Sequence, residues 1–353
     1  MPSFKDMLKA DESLIRDDVP LSYDFLPKML KYREKEQRQF ANAIKPLLQE
    51  RNGRNLFVYG APGIGKTAAC KHVLRELEEQ TDGVIPLYLN CWKFNSAFKM
   101  TSELCRQLGI QFIANQKTSE LFLRAVTILN KKSAVFVFDE IDKLEDFDLL
   151  YMVLEDIYKK AIFLITNYKD RVQQLDERIM SRLTPELVEF FPYDKEEIRG
   201  ILQERRTYAF VPEAWEENAF SKVVDKTAEW SDIRRGLFVM REAATLAEEK
   251  ASRKITLDEV QRAAVKVDQL DDNLTLDDDM KNILQIVSEA SGQKIGDIFQ
   301  SFLKSGGEMS YKNFSRKIDK LEKGKLVSTE KVLNREGNTT LVHLCSEKKL
   351  TDY

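Results

Sequence analysis

Short apolar runs separated by amphipathic stretches fill the chain up to about residue 192. Four of these runs have the length of a strand and are rich in β-branched and aromatic residues: LFVY at 56–59, VIPLYL at 84–89, AVFVF at 134–138 and AIFLIT at 161–166. Between them, apolar residues recur at every third or fourth position, which is the period of an amphipathic helix. Strands that alternate with helices at this spacing predict an α/β fold, in which helices cover both faces of a parallel sheet.

Beyond Pro192 the pattern is helical. Four segments within residues 194–268 carry apolar residues at three-to-four spacing, and Asp194 and Ser231 are good N-cap residues for two of them. We therefore predict a first domain over residues 1–193 and an all-helical domain over residues 194–268.

Two further segments complete the predicted organisation. Residues 268–279 contain six aspartates in twelve positions. Such a stretch repels itself and buries little, so we interpret residues 269–279 as an acidic linker. Residues 280–353 are predicted to form a separate domain of three helices followed by two strands.

Composition narrows the function classes. Hydrophobic residues make up 43% of the 353 residues and charged residues 32%, as in an ordinary globular protein. No apolar run approaches the ~20 residues that span a bilayer, so we expect a cytoplasmic protein with no membrane partner. The four cysteines form no CxxC pair, and His72 and His343 stand alone. Zinc sites, disulfides and a catalytic histidine are therefore not expected.

Charge is distributed unevenly along the chain. The net charge is −3 at pH 7, but Ser310–Arg335 contains eight Lys or Arg residues against three Asp or Glu residues. Basic charge is therefore concentrated near the C-terminus, and this asymmetry requires an explanation.

The most specific motif is GAPGIGKT at Gly60–Thr67, which has the P-loop spacing GxxxxGK[ST]. Its glycines let backbone amides point at phosphate oxygens, and the following helix presents its N-terminus to the same anion. In this pattern Lys66 bridges the β- and γ-phosphates and Thr67 binds magnesium. The predicted ATP-binding residues of the motif are Gly60, Ala61, Pro62, Gly63, Ile64, Gly65, Lys66, Thr67 and Ala68.

Three polar residues follow two of the predicted strands. Asp139 and Glu140 end the run AVFVF, and Asn167 ends AIFLIT. Asp139 is expected to help hold Mg²⁺, and Glu140 to polarise the attacking water. Asn167 would hold that water in line, because ligand groups gather at the carboxyl ends of parallel strands. The alternative is that Asp139 and Glu140 are an ordinary acidic end of a strand and that Asn167 lies in a solvent-facing turn.

The helical domain contains the sequence SDIRR at residues 231–235. An arginine at the start of this helix would reach the γ-phosphate and couple the domain to the nucleotide state. A surface arginine pair is the default by composition alone, and the wider pattern favours Arg234 as a nucleotide contact.

The complete layout resembles the AAA+ superfamily, with a P-loop, an Asp-Glu strand, an Asn strand and a helical lid with an arginine. Within it, the chain is similar to the archaeal replication initiators related to the eukaryotic origin-recognition and cell-division-control ATPases. The resemblance covers nearly all of the chain and rests on LPKMLKYREKEQ, GAPGIGKT, YLNCW, FVFDEIDKL, LITN, LDERIMSRLTP, FPYDKEEI, SDIRRGL and TLDEVQRAA.

The resemblance implies an AAA+ core, a helical lid and a C-terminal winged helix, with ATP or ADP and Mg²⁺ as cofactors. It places Tyr32 and Arg33 in the stretch that lines the adenine pocket, and it matches Arg234 to the lid arginine. Arg182 lies where related ATPases place an arginine finger that acts on a neighbour's nucleotide, and Arg178 is a competing candidate. Because a finger works only in an oligomer, possible self-association on DNA is implied.

The family also carries an insertion that touches DNA. The matching segment is GIQFIANQKTSE at Gly109–Glu120, in which Lys117 is the basic residue. The resemblance further implies double-stranded origin DNA and the replicative helicase as partners, in the nucleoid of an archaeal-type cell.

The segment Ser310–Lys323 has two faces when it is drawn as a helix. Tyr311, Phe314, Ile318 and Leu321 share one face, and the other carries Lys312, Asn313, Arg316, Lys320 and Lys323. A recognition helix in a major groove needs this arrangement, with Asn313 and Arg316 suited to bases and the lysines to phosphates. A solvated lysine-rich face is the alternative.

A predicted hairpin follows this helix. The segments KLVSTEKVL and TTLVHL flank a turn at residues 334–338. A hairpin directly after a basic helix favours a winged helix, in which Arg335 at the tip would enter the minor groove.

The sequence therefore predicts an ATP-dependent replication initiator that binds origin DNA through the winged helix and the AAA+ insertion. It would help to load the replicative helicase and use weak ATP hydrolysis as a conformational switch. Two alternatives stay open. One is an ATP-liganded DNA-binding regulator, and the other is a clamp-loading or partner-remodelling AAA+ ATPase whose basic helix is only a solvated face.

Overall fold

The computed structural model describes residues 13–113, 116–170, 176–275, 278–289, 292–323, 326–334 and 337–344. The chain divides into two compact units, residues 1–260 and 261–353.

A parallel sheet lies at the centre of the first unit. Its strands in the described residues are β1 (Leu56–Tyr59), β2 (Val84–Asn90), β3 (Ser133–Asp139), β4 (Lys160–Thr166) and β5 (Glu186–Glu189). They lie side by side in the order β2-β3-β4-β1-β5, and every neighbouring pair is parallel.

Both faces of this sheet are buried. In β3, Phe136 and Phe138 pack into one hydrophobic cluster, whereas Val135 and Val137 pack into the cluster on the opposite face. Successive side chains of a strand point to opposite faces, so a strand covered on both sides is apolar along most of its length. The prediction of a parallel sheet with two covered faces is confirmed.

The helices of this core are α1 (Glu34–Ile44), α2 (Lys66–Gln80), α3 (Ala97–Gln107), α4 (Thr118–Leu129), α5 (Asp148–Asp156) and α6 (Glu177–Leu183). Because its strands are parallel, β1, β3 and β4 all end at the same edge of the sheet. Gly60, Asp139 and Asn167 lie at these strand ends, so the fold brings the predicted site residues to one edge.

The helical part that follows consists of α7 (Lys195–Ala209), α8 (Glu217–Trp230), α9 (Ile233–Glu249) and α10 (Leu257–Thr275). Asp194 caps α7 as predicted, because its side chain accepts from the Glu197 amide at 2.8 Å while Glu197 accepts from the Asp194 amide at 2.9 Å. The predicted cap at Ser231 is wrong. Ser231 ends α8 with φ +53°, and the side chain of Asp232 caps α9 instead.

The acidic stretch differs from the linker that its composition predicts. α10 runs through Thr275, and the next helix, α11 (Asp278–Glu289), begins three residues later. The first unit ends at Val260, within α10, so the unit boundary precedes the predicted end of the lid at residue 268. The sequence from 257 to 291 contains no glycine or proline, and aspartate alone does not stop a helix.

The second unit continues from α11 with β6 (Gln293–Lys294), α12 (Ile295–Lys304), α13 (Tyr311–Lys323), β7 (Val327–Asn334) and β8 (Gly337–Leu344). Its strands pair antiparallel in the order β6-β8-β7 around a core that includes Phe302, Phe314 and Val342. The order helix, strand, helix, helix, hairpin is the element order of a winged helix. Within the described residues, no helix has the length and apolarity to cross a membrane.

Candidate nucleotide and nucleic-acid sites

The P-loop leaves β1 and enters α2 through glycines that the geometry requires. Gly63 has φ +74° and Gly65 has φ +91°. A Cβ at Gly63 would collide with the carboxylate of Asp232, and one at Gly65 would collide with the hydroxyl of Tyr193. These positions therefore need glycine both for the left-handed backbone and for the close approach of α9 and of Tyr193.

Lys66 lies at the centre of this loop and is only 7% exposed. Its Nζ donates to the carbonyls of Gly60 and Ala61, both at 2.8 Å, and to Asn167 Oδ1 at 2.9 Å. Burial lowers the pKa of Lys66 to about 8. The ammonium contacts neutral oxygens, and a phosphate would compete with them because hydrogen bonds between ions are stronger. The structure thus brings Lys66 and Asn167 together, 101 residues apart in the chain.

Asp139 ends β3 and is 2% exposed. Its Oδ2 accepts from Thr67 Oγ1 at 2.7 Å and from the Tyr88 hydroxyl at 2.6 Å, and its Oδ1 accepts from the Glu140 amide at 3.0 Å. The two predicted magnesium residues, Thr67 and Asp139, are therefore in direct contact. Tyr88 is a site residue that the sequence analysis missed, although the motif YLN placed it near the end of β2.

Glu140 follows in a left-handed conformation, with φ +57°. Burial raises the pKa of its carboxyl group, and the negative charges of Asp139 and Asp142 raise it further. A carboxylate whose pKa is raised accepts a proton from water more readily, which suits a general base.

These residues surround a cavity of about 350 Å³, a volume typical of small-molecule sites. Pro62 to Ala68, Asp139, Glu140, Asn167 and Arg234 line it, together with Tyr88 and most of residues 22–31. Gly60 and Ala61 do not line it, and their carbonyls hold Lys66 instead.

Tyr32 and Arg33 differ from their predicted place, because neither lines the cavity. Arg33 is buried. Its guanidinium donates to the Ile64 carbonyl at 2.9 and 3.1 Å and to the Phe191 carbonyl at 2.7 Å, and it stacks 3.7 Å from the Tyr193 ring centre. Arg33 therefore contacts the P-loop from outside the cavity, whereas most of residues 22–31 line the cavity.

Arg234 lines the cavity from the first turn of α9, as predicted. Its Nε and Nη2 donate to the carboxylate of Asp232 at 3.1 and 2.8 Å, and Asp232 lies against Gly63. The start of α9 also donates from the Ile233 amide to the Gly63 carbonyl at 3.4 Å. The lid helix is therefore anchored on the P-loop, with its arginine held beside the cavity.

The two arginine-finger candidates lie on α6, away from the cavity lining. Arg182 is ion-paired with Glu155 and lies 5.3 Å from the centre of the Tyr151 ring. Arg178 is exposed. Arg182 is exposed as well, so exposure does not decide between the two candidates.

The predicted insertion precedes α4. Lys117 is exposed at the N-cap of α4, and residues 114–115 lie outside the described residues. Arg124 holds the loop by donating to the Gln111 carbonyl at 2.8 Å and to Gln116 Oε1 at 3.0 Å. Phe112 is 83% exposed on this loop.

The predicted recognition helix corresponds to α13. Phe314, Ile318 and Leu321 are buried in the core of the second unit, and Tyr311 is half-exposed against Phe299. On the opposite face Lys312, Asn313 and Arg316 are exposed. Lys320 lies in α13 with a side chain outside the described set, and Arg335 falls outside the described residues.

Two family models match the chain. The description of the first is "AAA domain", over residues 49–204, and that of the second is "Cdc6 AAA+ ATPase-type lid domain", over residues 199–265. The AAA+ core and the lid predicted from sequence are thereby confirmed.

Among known proteins, the chain is 30% identical to an ORC1-type DNA replication protein of Cenarchaeum symbiosum, over 84% of this chain and 78% of that protein. The chain belongs to the family of ORC1-type DNA replication proteins. A second ORC1-type DNA replication protein, from Methanothermobacter thermautotrophicus, is 28% identical over 92% of this chain and 90% of its own length.

Two solved structures share the fold of this chain. The Aeropyrum pernix ORC1 protein in complex with DNA matches with a TM-score of 0.74 and 25% identity, over 96% of this chain and 95% of that one. The Cdc6p protein of Pyrobaculum aerophilum, at 17% identity and a TM-score of 0.65, shares the fold.

Proposed function

We propose that this ORC1-type protein is an ATP-dependent replication initiator that binds double-stranded origin DNA. One observation carries the proposal: the first unit gathers Lys66, Thr67, Asp139 and Asn167 at one cavity, and the second unit presents an exposed polar and basic face on α13. The names of the relatives support a role in DNA replication, and the DNA-bound Aeropyrum pernix neighbour supports DNA binding.

The residues of the cavity fit ATP and Mg²⁺. Magnesium prefers hard oxygen ligands and is usually bound by one or two carboxylates together with phosphates, which matches the Thr67 hydroxyl and the Asp139 carboxylate beside the P-loop. Bound Mg²⁺ would neutralise charge that develops on the phosphates. Lys66 would contact the β- and γ-phosphates, and the amides of Gly63 to Ala68 would surround them.

Hydrolysis would use the residues around this cradle. Glu140 would take a proton from the attacking water, and Asn167, which already contacts Lys66, would hold that water in line. Arg234 would contact the γ-phosphate. Loss of this phosphate on hydrolysis would then change how α9 lies on the P-loop. We propose that hydrolysis is weak and acts as a conformational switch, because it removes the phosphate that Arg234 would contact.

DNA would be bound by the face of α13 that carries Lys312, Asn313 and Arg316, and Lys320 and Arg335 are proposed as further contacts. Asn313 and Arg316 are the candidates for base edges, because a planar amide can donate to and accept from one adenine, and a planar guanidinium can donate twice to one guanine. Lys312 suits a phosphate. Lys117 in the AAA+ insertion is the proposed second contact. We also propose that the protein helps to load the replicative helicase and that it self-associates through Arg182 or Arg178.

The test is capture of genomic DNA fragments by the purified full-length protein with ATP, followed by sequencing. The Arg316→Ala variant is run beside it, and Arg253→Ala serves as a control that removes an exposed charge from the first unit. We expect one or a few sharp peaks that disappear with Arg316→Ala and persist with Arg253→Ala, at loci where replication mapping places an origin.

Other patterns would favour the alternative functions. Peaks scattered over many promoters would favour a DNA-binding regulator. Capture no better than background, at about 100 mM salt where several phosphate contacts still hold, would leave a partner-remodelling ATPase.

A further inference from the structure

Tyr88 contributes a third hydrogen bond to the carboxylate of Asp139. It lies on β2, which pairs with β3 in a register that sets Tyr88 beside Val137 and Asn90 beside Asp139. The Tyr88 hydroxyl donates to Asp139 Oδ2 at 2.6 Å, and Thr67 Oγ1 donates to the same oxygen at 2.7 Å. One oxygen therefore receives hydrogen bonds from two elements, β2 and α2.

These contacts restrict what the carboxylate can do. A carboxylate oxygen has about two lone-pair positions, so Tyr88 and Thr67 together occupy both positions of Oδ2. The other oxygen, Oδ1, accepts from the Glu140 amide at 3.0 Å and keeps one position open. Without the Tyr88 hydroxyl, Oδ2 would keep only the Thr67 contact, and the carboxylate would be held by two hydrogen bonds instead of three.

Both the ring and the backbone of Tyr88 have further contacts. Lys71 Nζ lies 4.5 Å from the ring centre. The side chain of Gln107 bonds both backbone groups of Tyr88, donating to its carbonyl at 2.8 Å and accepting from its amide at 3.2 Å.

We propose that Tyr88 is a positioning residue for the metal: its hydroxyl orients Asp139 so that the carboxylate and the Thr67 hydroxyl hold Mg²⁺ together. The inference rests on the proposed nucleotide site and adds a residue to it. Mutation of a residue that orients a metal ligand through a hydrogen bond typically costs about 10–100-fold in metal affinity.

The experiment is a magnesium titration of the binding of a fluorescent ATP analogue to the full-length protein and to Tyr88→Phe. The substitution removes the hydroxyl and keeps the ring. We expect the magnesium concentration at the midpoint to rise about tenfold, while binding of the same analogue in excess EDTA stays at the wild-type value. If Tyr88 only stabilised the fold, its substitution would weaken binding of the analogue with magnesium and in EDTA alike.

Tyr59→Phe is the matched control. The Tyr59 hydroxyl donates to Glu189 Oε2 at 3.0 Å, so this change removes the same kind of bond from β1 and β5, at the other end of the sheet from β2. We expect its magnesium midpoint to equal that of the wild type. A wild-type midpoint for Tyr88→Phe, an equal shift for Tyr59→Phe, or an equal loss in EDTA would overturn the inference. Failure of the wild-type protein to bind the analogue at any magnesium concentration would overturn the proposed function with it.

Discussion

The nucleotide site and the basic face of α13 are built in opposite ways. Around the cavity, Lys66 and Asp139 are almost fully buried, and each has three hydrogen-bond partners at 3.0 Å or less. On α13, Lys312, Asn313 and Arg316 are exposed. The first site is organised before its ligand arrives, whereas the second offers charge and donors that its ligand would have to order.

This difference decides how a substitution acts. Removing one member of the cavity leaves buried partners unsatisfied, so its effect is expected to be large. Removing one exposed cation costs the contact it would have made and leaves the fold intact. Large effects are thus expected in the first unit and smaller ones in the second.

The largest effect is expected for Glu140→Gln. The amide keeps the shape of the side chain but cannot accept a proton, so hydrolysis should fall by about 10²–10⁴-fold. ATP binding should persist, because the P-loop contacts are unchanged. Single-turnover hydrolysis beside equilibrium binding measures both quantities, and normal hydrolysis by this variant would remove Glu140 from the role of base.

Lys66→Ala should abolish tight ATP binding. It removes the buried cation of the cradle, and truncating one partner of a buried charge pair costs about 2–5 kcal/mol. The second unit should stay folded, since residues 261–353 form their own compact unit. Calorimetric titration with ATP measures the first effect. DNA affinity of the variant measures whether the second unit stays folded. A loss of DNA affinity would show that the DNA-binding face depends on the nucleotide site.

The same contrast explains how much could be predicted from sequence. The P-loop, Asp139 and Asn167 were identified because a phosphate cradle requires fixed residue types at fixed spacing next to a strand. Tyr88 and Arg33 carry no such signal. Their roles depend on the register of β2 beside β3 and on the approach of Arg33 to the Ile64 carbonyl, which are properties of the folded chain.

The errors have the same physical origin. Ser231 and Asp232 are both good cap residues, and the choice between them depends on the end of α8, which the local sequence does not mark. The acidic stretch has the composition of a linker, yet without glycine or proline α10 continues through it to Thr275. The polar face of α13 could be predicted from periodicity, but periodicity cannot distinguish a DNA-binding face from a solvated one.

Arg316→Ala addresses that last distinction. If Arg316 contacts a base edge, the substitution should weaken binding to the captured sequence by about 1–3 kcal/mol and relax its specificity. Competition of specific against random duplexes, with Arg253→Ala as the charge control, measures this. An unchanged preference for the captured sequence would exclude Arg316 from base recognition and would favour the view of α13 as a solvated face.

Lys312→Ala should have the smallest effect and a different signature. A lysine that neutralises one phosphate should weaken specific and random duplexes about equally, and its loss should lower the slope of log K against log salt by about 0.9. Binding isotherms at several salt concentrations, for Lys312→Ala, Arg316→Ala and wild type, separate the two roles. If Lys312→Ala instead changed specificity at constant slope, the lysine would be reading a base, and the division of α13 between base and phosphate contacts would have to be reversed.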